Sequence, residues 1–364
     1  MKNSKKFYFF IGTTAELIKL IPVIREFKKK KLNFKIITSG QGQVYFDEFA
    51  SYFGSIKADI VFHQKARESS VFKFIIWTVK TLFLSLFLLR KEFPRQKKGV
   101  YFIVHGDTVS SLIGTLIGYF YGLKVVHIES GLRSFNFLEP FPEEVCRFII
   151  SIFADIHFCP NEWCVNNLRN HKGVKINTHG NTLIESFWWA IKQKQKLPKA
   201  IKGKYFVLVM HRQEHVIFNR EKSKKILEFV IKSFDRKLSC VFITHDLTRD
   251  FLEGVRLSPK KRLRDMIVSE RLPYPGFMHL VSKAEFIVTD GGSNQEEAYY
   301  MGKPCLIIRG RTERIEGLNK NAILSKNKKG VILDFFENYK KHRKARIKSK
   351  ISPSKIIVNY LVNS

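Results

Sequence analysis

The sequence predicts an α/β protein of two Rossmann-like domains that face each other across a cleft. Short apolar, β-rich runs alternate with longer helical segments along most of the chain, a pattern typical of parallel sheets joined by right-handed crossovers. The chain has 364 residues, enough for about two domains. Its 45% apolar content can supply two cores.

The first apolar run illustrates how these elements are recognised. It ends in Gly12-Thr13-Thr14, and helix formers begin at Ala15, so a strand turns into a helix whose N-terminus attracts anions. Lys19 is the only cation close to that turn. By the same criteria the candidate strands of the chain are 7–11, 34–38, 100–105, 125–129, 156–159, 206–210, 241–244, 286–289 and 304–309.

A polar, lysine-rich stretch divides the chain near its middle. The sequence KQKQKLPKAIKGK at 192–204 interrupts the alternation of strands and helices, as linkers between domains do. We therefore expect an N-terminal domain at 1–182 and a C-terminal domain at 183–351. The segment 352–364 is expected to pack back on the N-terminal domain.

The charge balance narrows the classes of partner. The chain carries 64 Lys and Arg against 32 Asp and Glu, a net charge of +32. Such an excess favours a polyanionic surface, an anionic membrane or an acidic substrate. The lysines are scattered through helical segments without a nucleic-acid motif, so we predict no nucleic-acid partner. A solvated lysine-rich surface is the plain interpretation of most of them.

The cysteines and the N-terminus point to a reducing compartment. Five cysteines occur without CxxC pairs and mostly in apolar runs, which favours reduced thiols over a disulfide framework or a zinc site. The start MKNSKKFYFFIGTTAE has only a short apolar core, which argues against a secretory signal.

One segment departs from the globular pattern. In the stretch KFIIWTVKTLFLSLFLLR, which runs from Lys73 to Arg90, Lys80 is the one charged residue between these two ends. This run is short for a bilayer span and too apolar for an ordinary surface helix. A helix lying in the membrane interface would explain both the apolar segment and its basic flanks, and a core or dimer-interface helix is the equal alternative.

Two motifs of the second half suggest a phosphate site. TDGGSNQEEAYYMGKP follows a predicted strand and opens a helix, so backbone N–H groups at Gly292 and Ser293 could approach a phosphate. Glu296 or Glu297, one turn later, could accept hydrogen bonds from ribose hydroxyls. RGRTERIEG follows, and its Arg311 and Arg314 could pair with a diphosphate. The alternative for the first motif is a tight strand–helix turn.

The first half places acids where ligands bind in open α/β sheets. Asp107 in VHGDTVSS and Glu129 in HIESGLR follow predicted strands, and Glu143 follows Pro142 at a helix start. Each could be a helix cap or a charge favoured by the helix dipole, but together they suggest general acid–base chemistry. His211 ends the first strand of the second half in VLVMHRQEH and would face the cleft.

These motifs together resemble the UDP-N-acetylglucosamine 2-epimerase family. GTTAELIKLIPVI, VHGDT, HIESGLR, PFPEE, HGNT, TDGG with QEE, GKP and TERIEG occur in the family's order over nearly the whole chain. The resemblance implies a glycosyltransferase-B-like fold and interconversion of UDP-GlcNAc and UDP-ManNAc. The implied reaction eliminates UDP with loss of the C2 proton, gives 2-acetamidoglucal, and adds UDP back after reprotonation on the other face. It requires no metal or redox cofactor.

The resemblance also implies roles for individual positions. The implied acid–base set is Asp107, Glu129 and Glu143, and His211 is placed near the leaving diphosphate. The implied substrate contacts are Lys19 on the family's basic position in the first helix, Phe277 beside the uracil, Gly292, Ser293 and Glu297 at phosphate and ribose, and Arg314.

The chain departs from the family pattern at the first turn. Thr14-Ala15 stand where the family has Arg-Pro, and Gln41-Gly42 stand where it has a Gln-His pair associated with an allosteric substrate site. We take Arg311 as the candidate that supplies the missing positive charge to the substrate.

Two functional hypotheses follow. The first is a cytoplasmic UDP-GlcNAc 2-epimerase for surface polysaccharide biosynthesis, acting on a UDP-sugar, with a homodimer and peripheral contact of residues 71–91 with the inner face of the cytoplasmic membrane left open. The alternative is a membrane-associated glycosyltransferase of the same fold that uses a UDP-sugar donor and a lipid-linked acceptor.

Overall fold

The chain divides into two compact units, each built on one parallel sheet. The computed structural model describes residues 5–62, 71–93, 97–210, 220–235, 237–244 and 266–364. Unit 1 comprises Met1–Ser186 with Lys350–Ser364, and unit 2 comprises Phe187–Ser349. In both units helices connect the strands, so the predicted α/β class with two Rossmann-like domains is confirmed.

Unit 1 contains a seven-stranded parallel sheet within the described residues, in the order β3-β2-β1-β4-β5-β6-β7. Its strands are β1 (Lys6–Ile11), β2 (Phe34–Thr38), β3 (Ile60–Val61), β4 (Val100–His105), β5 (Lys124–Ile128), β6 (Ile156–Cys159) and β7 (Val174–Asn177). Its helices are α1 (Thr14–Lys29), α2 (Ala50–Phe53), α3 (Val71–Leu88), α4 (Val109–Phe120), α5 (Glu143–Phe153), α6 (Glu162–Asn167) and α7 (Leu183–Ala190), whose last residues belong to unit 2.

The central strands of unit 1 form because their residues are apolar on both faces. Phe9 and Phe10 on β1 and Phe102 on β4 are fully buried, as expected for a parallel sheet covered by helices on both sides. The register pairs Phe9 with Ile103 and His105 with Ile128. The carboxyl ends of β1, β4 and β5 therefore lie at one edge of the sheet.

The C-terminal helix α12 (Pro353–Asn363) belongs to unit 1 and packs against α1. Its start is held by Glu185, whose carboxylate accepts hydrogen bonds from the Ser354 N–H at 2.9 Å and from the hydroxyls of Ser352 and Ser354. Tyr360 adds an edge-to-face ring contact with Phe158 on β6.

Unit 2 contains a six-stranded parallel sheet within the described residues, in the order β10-β9-β8-β11-β12-β13. Its strands are β8 (Tyr205–Val209), β9 (Ser239–Thr244), β10 (Met266–Glu270), β11 (Ile287–Thr289), β12 (Cys305–Ile307) and β13 (Ala322–Leu324). Its other helices are α8 (Arg220–Ser233), α9 (Tyr274–Lys283), α10 (Gly292–Met301) and α11 (Lys329–Asn338).

The structure adds strands that hydrophobicity alone did not predict. These are β3, β7, β10 and β13, which are two to five residues long. These four strands end the two sheets, so within the described residues each pairs on one side only. Edge strands bury fewer side chains and therefore carry a weaker apolar signal.

Two further observations concern the cysteines and the membrane question. None of the five cysteines, all of which lie in the described part of the chain, forms a disulfide, and all five are buried. Across the part of the chain that the structure describes, none of the helices has both the length and the apolar character needed to cross a bilayer.

Candidate active site

Glu129 lies directly after β5, and three side chains from other parts of unit 1 surround its carboxylate. The Nζ of Lys19 on α1 lies 2.9 Å from its Oε1 and 2.8 Å from its Oε2. The side-chain amide of Asn181 donates to Oε2, and His105 Nε2 lies 4.0 Å from the same oxygen. Glu129 has a φ of +65°, a conformation that is uncommon for residues other than glycine and often marks functional sites. The carboxylate is therefore buried, paired and fixed in orientation.

Asp107 lies after β4 and is bound from α5. The Arg147 guanidinium donates to Asp107 Oδ2, and its other terminal nitrogen lies 2.8 Å from Glu144 Oε2. Glu144 also accepts from the Ser134 N–H at 3.0 Å. Because the Asp107 side chain is 21% exposed while Arg147 and Glu144 are buried, Asp107 is the acid of this group that a ligand can reach.

Glu143 begins α5 and lies in the neighbourhood of Asp107. Burial is the main cause that raises the pKa of the Cys146 thiol, and the carboxylates of Asp107 and Glu143 raise it further. Both acids are thus close enough to one thiol to act on it through space. The structure therefore places Asp107, Glu129 and Glu143 in one unit, and it brings Lys19 into direct contact with Glu129.

A fourth carboxylate, Glu16, was missed by the sequence interpretation. It is buried on α1 and accepts from the Gly12 N–H at 2.9 Å and from the Thr13 hydroxyl at 3.2 Å. Burial is the main cause that raises its pKa to about 7. Hydrogen bonds from Gly12, Thr108 and Thr13 lower the pKa, and the charge of Asp107 raises it. The Thr13 hydroxyl accepts in turn from the Glu16 N–H.

The turn between β1 and α1 binds the carboxylate of Glu16. A Cβ on Gly12 would lie 2.3 Å from the side chain of Ser110, so only glycine fits, and its N–H is directed to Glu16. The chain's own carboxylate thus occupies one of the donors that we had expected to face an external anion. The spacing Thr13-x-x-Glu16 is that of a capping box, which is the sequence signal that could have revealed it.

Thr14, which stands in place of the family's arginine, holds the loop 40–45 by two hydrogen bonds. Its hydroxyl donates to the Gln43 carbonyl at 2.7 Å and accepts from the Tyr45 N–H at 3.2 Å. In the same loop the Gln41 side-chain carbonyl accepts from the Ser110 N–H at 2.8 Å, at the start of α4. Thr14 and Gln41 therefore hold the loop 40–45 against the first turns of α1 and α4.

Two histidines beneath the acids are uncharged at neutral pH. Burial lowers the pKa of His127 to about 4, and its Nε2 lies 2.7 Å from the Gly106 carbonyl. Burial likewise lowers the pKa of His157 to about 3, and its Nδ1 lies 3.0 Å from the Ser130 hydroxyl. These contacts support the two turns that carry Asp107 and Glu129.

In unit 2 the predicted phosphate turn is packed against the second arginine motif. A Cβ on Gly292 would lie 2.6 Å from Arg314 Nε and 2.7 Å from Glu313 Oε1, so a larger residue here would have to displace these two side chains. Arg314 Nη1 lies 2.7 Å from Glu296 Oε1, and both side chains are buried. The guanidinium is thereby fixed beside the N-terminus of α10.

Glu297 and its neighbours form a hydrogen-bonded row along the same turn. The Thr289 hydroxyl accepts from the Gly291 N–H at 2.9 Å and donates to Asn294 Oδ1 at 3.0 Å. Asn294 Nδ2 donates to Glu297 Oε2 at 2.9 Å. The row orients the first turn of α10, where the sequence predicted phosphate and ribose contacts.

The other residues that the sequence predicts for the site differ in their exposure and location. Ser293 and Phe277 are half-buried in unit 2, Phe277 on α9, and Arg311 is exposed in the loop after β12. His211 lies outside the described residues. Within the residues that the structure describes, no cluster of His, Cys, Asp and Glu is arranged to hold a metal ion.

Comparison with known proteins identifies a family and its structures. Residues 27–354 match the family model described as UDP-N-acetylglucosamine 2-epimerase. A Methanococcus maripaludis protein named UDP-N-acetylglucosamine 2-epimerase is 30% identical over 337 residues, which cover 87% of this chain and 86% of that protein.

Two solved structures extend the similarity to three dimensions. The UDP-GlcNAc 2-epimerase of Neisseria meningitidis bound to UDP-GlcNAc is 27% identical, with a TM-score of 0.82 over 99% of this chain and 100% of that one. The enzyme of Methanocaldococcus jannaschii in complex with UDP-GlcNAc and UDP is 26% identical, with a TM-score of 0.84 over 99% and 100% of the two chains. The predicted family and glycosyltransferase-B-like fold are confirmed.

Proposed function

Because the chain belongs to the UDP-N-acetylglucosamine 2-epimerase family, we propose that it interconverts UDP-GlcNAc and UDP-ManNAc. The observation that carries this proposal is the group of acids in unit 1. Asp107, Glu129 and Glu143 follow β4, follow β5 and begin α5, where ligands bind in open α/β sheets.

The proposed reaction begins with elimination. A carboxylate removes the C2 proton, the C1–C2 double bond of 2-acetamidoglucal forms, and the C1–O bond breaks with its electron pair leaving on UDP. The reverse addition returns a proton to C2 from the opposite face. Because protons must be exchanged on two faces of the sugar, the reaction needs more than one acid–base group. Asp107, Glu129 and Glu143 are the proposed set.

Lys19 gives Glu129 a defined place in this set. The ammonium group contacts both oxygens of the carboxylate, so it neutralises a buried charge that would otherwise be costly. A substrate oxygen that approaches Lys19 would compete with Glu129 for the same ammonium. Lys19 therefore couples substrate binding to the charge on Glu129.

Unit 2 is proposed to bind UDP. The first turn of α10, with Gly292 and Ser293, supplies backbone donors for phosphate, and Glu297 supplies an acceptor for ribose hydroxyls. Arg314, held by Glu296, and the exposed Arg311 supply cations for the diphosphate, and Phe277 supplies a ring for the uracil. His211 is proposed to act near the leaving diphosphate.

We further infer a cytoplasmic location at the inner face of the cytoplasmic membrane, in the supply of ManNAc-type sugars for surface polysaccharide. The exposed apolar face of α3 supports contact of residues 71–91 with that membrane. A homodimer formed through the same face is the competing proposal.

Isotope exchange tests the activity. The purified protein is incubated with UDP-GlcNAc in deuterated water, and proton spectra are recorded over time. Deuterium at C2 of both UDP-sugars is the expected result, and Asp107→Asn is the matched variant that should lose exchange. UDP released only when a lipid acceptor is added would instead identify the glycosyltransferase alternative.

A further inference from the structure

The motif HGNT at residues 179–182 has no role in the proposed reaction as described above, although it lies beside the acids. It forms the turn between β7 and α7 in unit 1. The Thr178 hydroxyl donates to the Cys159 carbonyl at 2.9 Å, which holds the start of this turn to the end of β6. β6 is the neighbour of β5, and Glu129 directly follows β5. The turn is therefore fixed at the edge of the sheet that carries Glu129.

The two ends of the Asn181 amide have different partners. Its Oδ1 accepts from the Leu183 N–H at 3.1 Å, at the first turn of α7, and its Nδ2 donates to Glu129 Oε2. Exchanging the two amide atoms would direct an oxygen at the carboxylate and an amino group at the N–H, so the pairing admits one orientation. Asn181 and Glu129 are both buried. The start of α7 thus directs an amide donor at the carboxylate.

Oε2 of Glu129 has a second donor within hydrogen-bond distance. Lys19 Nζ lies 2.8 Å from it, and an ionised carboxylate oxygen offers about two acceptor sites. The Asn181 amide and Lys19 therefore use both sites of Oε2, and a proton that Glu129 exchanges is carried on Oε1. A Cβ added to Gly106 would lie 3.5 Å from Oε1, so this oxygen lies toward the turn that carries Asp107.

A role in holding the start of α7 would explain only the Oδ1 contact of Asn181. Asn161 makes that kind of contact at α6, where its Oδ1 accepts from the Cys164 N–H at 3.0 Å. An aspartate would keep the contact at either position, because its oxygen accepts from the same N–H. At position 181 the aspartate would also turn a carboxylate toward Glu129. The same substitution at the two positions therefore separates the two roles.

We propose that Asn181 is a positioning residue for proton transfer at C2 of the substrate, because its amide holds the Glu129 carboxylate beside Lys19 with Oε1 toward the turn of Asp107. Asn181 acts on the orientation and the charge of Glu129 and does not itself exchange a proton. The chemistry of this inference rests on the proposed epimerase activity, whereas the contact between Asn181 and Glu129 can be tested without it.

Replacement of Asn181 by aspartate is the main test. Asn181→Asp should lower C2 exchange about 10–100-fold at pH 8, because a hydrogen bond to a charged group contributes about that factor. The loss should be smaller at pH 6, since a protonated aspartic acid can still donate to Glu129. Asn161→Asp, the matched control, should exchange like the parent at both pH values. UDP binding, measured by calorimetry, should be equal in all three proteins.

Other titratable groups of the described chain face Glu129, and they are common to parent and variants. They are Lys19 on α1, His105 on β4, whose Nε2 lies 4.0 Å from Oε2, and His127 on β5. Burial lowers the pKa of His127 to about 4, so this group stays uncharged between pH 6 and pH 8. Dividing the rate of the variant by that of the parent at each pH removes the contribution that these groups share. A change of this ratio with pH therefore reports on position 181.

A carboxyl titration tests the contact without turnover. In protein labelled with ¹³C at the glutamate carboxyl carbons, the signal of Glu129 is identified by its loss in Glu129→Gln. Because the Asn181 amide donates to the charged form of Glu129, replacing it by a carboxylate should move the titration midpoint of this signal to higher pH. Asn161→Asp should leave the midpoint unchanged.

A second variant protects the test against misfolding. If circular dichroism shows that Asn181→Asp does not fold, Asn181→Ser is used, because the serine hydroxyl can still accept from the Leu183 N–H but is not an amide donor. This variant should lose C2 exchange by a similar factor at pH 6 and pH 8, since its side chain does not titrate there.

The outcomes distinguish the positioning role from the proposed activity. A parent without C2 exchange would refute the epimerase activity, and the carboxyl titration would then decide on Asn181 alone. Parental exchange in the Asn181 variants, or equal losses in Asn181→Asp and Asn161→Asp, would overturn the positioning role. An unchanged titration midpoint of Glu129 in Asn181→Asp would overturn it as well.

Discussion

Replacing Glu16 by glutamine should make unit 1 more stable at alkaline pH than at acidic pH, relative to the parent. The pKa of Glu16 rises from its ordinary value of 4.5 to about 7 in the fold, chiefly because it is buried. A raised carboxyl pKa stabilises the folded state fully below the unfolded value of about 4.5, and this stabilisation is lost as the pH rises through about 7. Glutamine cannot ionise and does not lose it.

The size of the effect follows from the difference in pKa. Each pKa unit corresponds to about 1.4 kcal/mol, so the variant should gain about 3 kcal/mol on the parent between pH 4.5 and pH 8. Groups that titrate in both proteins cancel in this comparison. The hydrogen bond from the Gly12 N–H can be retained by the glutamine oxygen.

The assay must report on unit 1 alone. Hydrogen exchange in increasing urea, read by mass spectrometry from peptides of β1 and β4, gives the free energy of unfolding of that unit at each pH, and peptides of β8 are the internal standard. Glu26→Gln removes a carboxylate from the same helix and controls for net charge. A difference between variant and parent that stays constant from pH 4.5 to pH 8 would refute the reasoning.

Three further predictions concern the active site. Asp107→Asn, Glu129→Gln and Glu143→Gln should each lower epimerase turnover by about 10²-fold or more. UDP binding, measured by calorimetry, should change little. Unchanged exchange of the C2 proton in all three variants would remove these residues from the acid–base set. Arg311→Ala and Arg314→Ala should each weaken UDP binding by about 1–3 kcal/mol. Arg311 is at an exposed position, so its replacement should not lower stability. Arg314→Ala should in addition destabilise unit 2 by about 3–5 kcal/mol, because Glu296 loses the guanidinium it faces. Equal melting temperatures of these two variants would contradict that distinction. Thr14→Arg should release the loop 40–45, detected as faster proteolysis there, because the Thr14 hydroxyl holds Gln43 and Tyr45.

The central strands and the motif positions could be predicted from the sequence because each carries a local signal. Strands such as β1 and β4 are continuous apolar runs, and Asp107 and Glu129 follow them directly. The positions of these acids at the ends of strands can therefore be predicted from the order of the apolar runs and the motifs.

Contacts between distant elements carried no such signal. Asn181 reaches Glu129 across 52 positions, and Arg147 reaches Asp107 across 40. The pairing of Arg314 with Glu296 likewise depends on how the loop after β12 folds onto α10. Glu16 has a local signal in the capping-box spacing Thr13-x-x-Glu16, but a glycine turn that opens a helix is equally typical of a site for an external anion.

The chain returns to unit 1 after unit 2, so unit 1 is the last of the two to be completed during synthesis. Unit 2 is encoded as an uninterrupted stretch, 187–349, inside a unit whose two pieces flank it. The ribosome releases all of unit 2 before residues 350–364, and domains fold as units during synthesis. Helix α12 and the Ser352–Ser354 contacts with Glu185 form only then. During synthesis the surface of α1 that α12 covers therefore stays exposed in unit 1 after the sequence of unit 2 is complete.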